Sequence, residues 1–136
     1  RRPRGDLLAW QELHASGNAE ELNRVMRENL FQQMLSSYDR IDPLAVRIHR
    51  DACVATRFTS KPIARPGGLA EQLETYVGPT LLIWGEHDIT CTPEYLLEKL
   101  ANGKPNRTAE IILDAGHWVQ YEKADQINQS LIAWFK

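Results

Sequence analysis

Two side chains have the type and setting for acid–base chemistry: Asp88, in the run Trp84-Gly85-Glu86-His87-Asp88, and His117, in Ala115-Gly116-His117-Trp118. A carboxylate held against one ring nitrogen of an imidazole fixes the tautomer and stabilises the protonated ring, which frees the other nitrogen to take or give a proton. That pair is the acid and base of a nucleophilic hydrolase, whose third member would be a serine, cysteine or aspartate nucleophile. His87 reads as a solvated loop residue, and His14 and His49 as surface residues on helices. A metal site from His87, Asp88 and His117 is not expected, because no further ligands lie at suitable spacing.

For the two residues to meet, the elements before them must be neighbours. Thr80 to Trp84 (TLLIW) is a short apolar run between Gly78-Pro79 and Gly85. Such a run, apolar on both faces, predicts a strand buried within a parallel sheet. Ala109 to Leu113 (AEIIL) is a second strand candidate, followed by Asp114-Ala115-Gly116. Between them, Thr92-Pro93-Glu94 opens a helix running to about Ala101, with Gly103 and Pro105 as its stop. Ala124 to Phe135 places Ile127, Leu131, Trp134 and Phe135 at helical spacing. The order strand, helix, strand, helix is a parallel unit with a closing helix. In open parallel sheets the site lies beyond the carboxyl ends of the strands, where Asp88 and His117 both fall.

The first half has a different character. Asp6 to His14 is a short helix candidate, and Gly17-Asn18 punctuates it. Asn18 with Glu21 has capping-box spacing. Leu22, Met26, Leu30 and Met34, with Val25 beside them, form one apolar helical stripe, which reads as core first and as pocket lining second. Asp42-Pro43 starts another helix, which runs to about Thr56 or Phe58, with Ile41 and Val46 spaced as a hydrophobic staple. Turn formers fill Thr59 to Gly68, and a short helix covers Leu69 to Tyr76. The chain therefore divides into a helical segment, 1–76, and a strand–helix–strand–helix segment, 77–136.

Composition narrows the partners. Of 136 residues, 43% are hydrophobic and 25% charged, enough apolar material for a core. A net charge of −2 gives no reason to expect nucleic acid as a partner. The apolar runs are too short to span a bilayer, and no signal peptide is visible. Two cysteines, Cys53 and Cys91, make no disulfide framework and fit no metal motif, so a cytoplasmic setting is the default expectation. The chain opens on Arg1, and its methionines are Met26 and Met34, so the natural start is expected to lie upstream.

Pro79 to Pro93, PTLLIWGEHDITCTP, resembles the strand and acid loop of the α/β-hydrolase family, and Ala115 to Tyr121, AGHWVQY, resembles its catalytic-histidine loop. The order acid, helix, histidine is also that of the family. The resemblance extends over essentially the whole chain, but only 77–136 carries motifs specific to it. It implies an α/β fold: the C-terminal portion of an α/β-hydrolase parallel sheet, two strands with flanking helices, preceded by a helical lid over 1–76. It implies Asp88 as triad acid and His117 as triad base, with no organic cofactor and no metal. Trp118 is similar to the aromatic found beside the histidine in the branch that hydrolyses carbon–carbon bonds of ring-cleavage products, the branch towards which the resemblance leans. Trp118 and Tyr121 read equally as packing residues. In that branch the lid gives an arginine to the substrate, and here Arg57 or Arg65 is the candidate.

One family feature is missing from the sequence. No Gly-x-Ser-x-Gly or Gly-x-Asp-x-Gly occurs, and none of Ser16, Ser36, Ser37, Ser60 or Ser130 sits on a strand-to-helix elbow between glycines. The expectation is a hydrolase acting on a small, largely apolar ester or carbon–carbon-bond substrate, inactive in this chain alone. The alternative is a non-catalytic ligand-binding or interaction module that pairs through its open strand edge. Two parallel strands leave edges unpaired, so another copy or an N-terminal hydrolase half is the expected protein partner.

Overall fold

The computed structural model describes residues 5–58, 62 and 68–136. Among the described residues the first part holds the helices α1 (Gln11–Ala15), α2 (Ala19–Gln33), α3 (Pro43–Ala55) and α4 (Leu69–Thr75), with a 3₁₀ turn at Tyr38–Arg40. The second part runs β1 (Thr80–Gly85), α5 (Pro93–Tyr95) leading into a π-helical segment (Leu96–Ala101), β2 (Arg107–Ile112), α6 (Val119–Glu122) and α7 (Ala124–Trp134).

Helix starts follow the capping residues. The Asn18 side chain accepts from the Glu21 amide at 3.2 Å, and Asp42 accepts from Ala45 at 2.8 Å, with Pro43 at the first position of α3. The stripe on α2 buries Leu22, Met26 and Leu30 against Leu35, Ile41, Ala45 and Val46. Burying each larger aliphatic side chain contributes about 1.5–3 kcal/mol. Ile41 and Val46 flank the α3 cap within this cluster, as a hydrophobic staple would.

The first helix is shorter and later than Asp6 to His14. Asn29, on α2, explains this: its Oδ1 accepts from the Leu8 amide at 2.7 Å and its Nδ2 donates to the Leu8 carbonyl at 3.0 Å. That pairing satisfies both backbone groups of Leu8 without a helix.

β1 and β2 pair in parallel, with Thr80 opposite Arg107 and Gly85 opposite Ile112. β2 begins two residues earlier than the apolar pattern suggests, because Arg107 belongs to the ladder. Arg107 is buried, and its guanidinium donates to the Leu100 carbonyl at 2.5 Å and to the Leu73 carbonyl. It thus ties the π-helical segment and α4 to the strand's first residue. The expectation of a strand buried on both faces needs correcting: Leu81 to Trp84 are only half-buried. Among the described residues β1 has one partner strand and so a single paired edge, which leaves these side chains less covered than in the middle of a wider sheet. Ile83 packs on a second small core of Ile112, Ala115, Val119 and Ile127.

Candidate active site

The parallel register brings the ends of β1 and β2 level, and the loops beyond them are bonded to each other. The Glu86 amide donates to the Ile112 carbonyl at 2.9 Å and the His87 amide to the Ala115 carbonyl at 2.8 Å. Glycine is required at position 85: a Cβ there would strike the Ala115 carbonyl oxygen at 2.5 Å and the Gly116 oxygen as well. Asp114, at φ 53°, takes the left-handed conformation that turns the chain from β2 into the histidine loop.

Asp88 and His117 meet across these loops, with His117 Nδ1 2.8 Å from Asp88 Oδ2. Asp88 is 3% exposed, whereas the His117 side chain is 42% exposed. The other carboxylate oxygen, Oδ1, accepts from the Thr90 amide at 2.8 Å, the Thr90 hydroxyl at 2.8 Å and the Cys91 amide at 3.2 Å. The Thr90 hydroxyl also lies 2.9 Å from His117 Nδ1. Burial alone would push the Asp88 carboxyl up, but the bonds from His117 and Thr90 outweigh it and hold the group below the usual carboxylate range. The arrangement is an ionised, immobilised carboxylate on one nitrogen of an exposed imidazole. It keeps the proton on Nδ1 and leaves Nε2 as the basic nitrogen.

The Trp84 indole donates to the Cys91 carbonyl at 2.7 Å and so holds the acid loop to its own strand. Burial raises the Cys53 thiol, and burial with the Asp88 charge raises the Cys91 thiol. Neither cysteine is set up as a thiolate nucleophile. Among the described residues, no group of three His, Cys, Asp or Glu side chains is placed to hold a metal ion, and no helix is long and apolar enough to cross a membrane.

Trp118 is half-buried and packs on the α2–α3 cluster. Its ring lies 6.0 Å from His49, edge to face, and 5.9 Å from Tyr121. His49 is therefore half-buried against an aromatic face rather than on the surface, and burial lowers its pKa. The Tyr121 hydroxyl donates to Asp42 at 2.7 Å; burial and that carboxylate push the phenol up to about 12. Arg57 follows α3 and is exposed. Arg65 lies outside the described residues. A groove of 540 Å³ lined by Leu8, Leu13, Arg24 and Val25 shares no residue with the Asp88–His117 pair.

Two participants were not singled out from sequence. Thr90, two residues after Asp88, has the spacing of an Asx turn, which was the available signal. Glu122 bonds Ser36, 86 positions away, and nothing local announces that partner.

A family model described as alpha/beta hydrolase fold matches residues 4–124. The chain belongs to the α/β-hydrolase fold family. A 2-hydroxy-6-oxononadienedioate/2-hydroxy-6-oxononatrienedioate hydrolase from Pseudomonas sp is 35% identical over 132 residues, covering 96% of this chain and 46% of that protein. The bifunctional epoxide hydrolase 2 of Rattus norvegicus is 40% identical over 58 residues, 43% of this chain and 10% of that protein. The crystal structure of naproxen esterase from Bacillus subtilis superposes with a TM-score of 0.63 at 20% identity, covering 96% of this chain and 47% of the esterase. At that identity the likeness speaks for the fold alone. The chain spans less than half the length of each of these α/β-hydrolase relatives. Its two-stranded parallel sheet with flanking helices is what a C-terminal portion of the α/β-hydrolase fold contains.

Proposed function

We propose that this chain supplies the acid and the base of a hydrolase's catalytic triad, and that the nucleophile comes from sequence outside these residues. The observation that carries the reading is the 2.8 Å contact between buried Asp88 and exposed His117, with the second Asp88 oxygen held by three donors. In the complete enzyme, His117 Nε2 takes the proton of the nucleophile as it attacks. Asp88 stabilises the resulting imidazolium, and His117 then returns the proton to the leaving group and activates water for the second half-reaction. The substrate class is a small, largely apolar ester or carbon–carbon-bond substrate; the name of the Pseudomonas relative, a hydrolase of an oxo-substituted chain, favours the second. Residues 1–76 serve as the lid over it, and Trp118 and Arg57 are its candidate substrate contacts.

The test is a chimera in which this chain replaces the corresponding part of the Pseudomonas relative, assayed on an ester and on a carbon–carbon substrate. Turnover that disappears with His117→Ala supports the proposal. A folded chimera that binds substrate without turning it over favours a ligand-binding role.

The half-buried β1 and its single paired edge favour a second property: in isolation the chain associates through that edge. Sedimentation velocity over a concentration series is expected to show dimers or larger species. A stable monomer at every concentration would refute edge pairing.

A further inference from the structure

We propose that Glu122 is a positioning residue, which locks the segment 34–37 onto the histidine loop and so sets where His117 stands. The proposal rests on the reading of His117 as the base. The Glu122 carboxylate spans two stretches of chain. Its Oε1 accepts from the Ser36 amide at 2.9 Å and from the Ser36 hydroxyl at 2.6 Å, and its Oε2 accepts from the Gly116 amide at 2.5 Å. On the far side of His117, the Trp118 amide donates to the Met34 carbonyl at 2.9 Å. The backbone of His117 is therefore tethered before and after, and both tethers end on the segment that closes α2.

The two backbones lie too close to slide. A Cβ on Gly116 would meet the Ser36 nitrogen at 2.8 Å and the Leu35 carbonyl carbon at 2.9 Å. Further out, Asp114 Oδ2 pairs with Arg40 at 2.6 Å, and the Tyr121 hydroxyl bonds Asp42, so the same seam continues at its rim. Asp88 orients the ring of His117, and this seam fixes the backbone that carries the ring. A shift of segment 34–37 would carry Nδ1 away from Asp88.

Three donors on two oxygens suit a carboxylate and no neutral isostere. Glu122→Gln keeps the shape but turns an NH₂ group towards either Gly116 or Ser36, donor against donor. Hydrogen bonds to charged groups contribute about 1.5–3 kcal/mol, which is roughly a 10- to 150-fold change in local opening.

The experiment uses the full chain, ¹⁵N-labelled, and reads amide exchange at Ser36 and Gly116 together with the ring-nitrogen shifts of His117. In Glu122→Gln both amides are expected to exchange at least tenfold faster, and His117 is expected to lose its single Nδ1–H tautomer for a mixture. Faster amides with an unchanged His117 ring, or no change at the amides, overturns the proposal. Asp88→Asn separates this from the acid–base reading: it should alter the His117 tautomer while leaving the Ser36 and Gly116 amides alone. An unchanged tautomer there sinks the acid–base reading, and the exchange and ring data of Glu122→Gln still decide the seam. Where Glu122→Gln does not fold, Ser36→Ala removes only the hydroxyl contact. It must still speed exchange severalfold at Gly116, across the carboxylate, and a Gly116 amide that does not respond overturns the proposal.

Discussion

Asp88→Asn isolates what the carboxylate does for His117, because asparagine fills the same space. Three of the four bonds to Asp88 converge on Oδ1, from Thr90 and Cys91, so the asparagine amide will keep its carbonyl oxygen there. Its NH₂ then replaces Oδ2, 2.8 Å from His117 Nδ1. A donor in that place requires Nδ1 to accept, and the imidazole proton moves to Nε2. The nitrogen that should act as base is then occupied. Losing one charge-assisted bond costs about 1.5–3 kcal/mol, which converts to roughly a 10- to 150-fold reversal in tautomer preference. In a complete triad the same exchange lowers kcat by about 10⁴-fold, because the ring holds the wrong tautomer. Ring-nitrogen NMR of the isolated chain reads the tautomer directly, and the chimera reads the rate. If the Asp88→Asn variant keeps His117 in the Nδ1–H form, Asp88 is not its orienting group and the acid–base reading fails.

Gly85→Ala drives a methyl group into the Ala115 and Gly116 carbonyls, which are backbone and cannot turn aside. A loss of about 1–3 kcal/mol in urea unfolding is expected, and a variant as stable as the parent would contradict the close approach. Stability should fall in two steps on acidification. Half-buried His49 has a lowered pKa, so it resists protonation when folded, and the stability it contributes is lost as the pH drops below about 6.5. The Asp88 carboxyl (burial outweighed by His117 and Thr90) and the Asp42 carboxyl (lowered chiefly by Tyr121) are held low. Their contributions are complete above about pH 4 and disappear below it. His49→Gln should remove the first step and Asp88→Asn should weaken the second. Urea midpoints that rise on acidification would refute both assignments.

Which parts of this arrangement were readable from sequence depends on how far each residue's partner lies along the chain. The caps at Asn18 and Asp42 act within three residues and stand out at once. Asp88 and His117 are 29 positions apart, yet each follows its own strand, and a parallel pairing leaves little freedom in where two such loops go. The pattern failed where a residue works through a distant backbone. Arg107 looks like a polar break before an apolar run, but it is the buried first rung of β2, with its two terminal nitrogens bonded to the carbonyls of Leu100 and Leu73. The helix expected over Asp6 to His14 is displaced by Asn29, 21 positions from Leu8. His49 looks like an ordinary helix-surface residue until Trp118 covers it. Glu122 is the extreme case, because a peptide N–H has no residue type and leaves no mark in the sequence of the segment that offers it. The groups proposed to react are thus visible as side chains of the right type after the right elements. The groups that hold them in place bind peptide backbone, and they emerge only when the chain is folded.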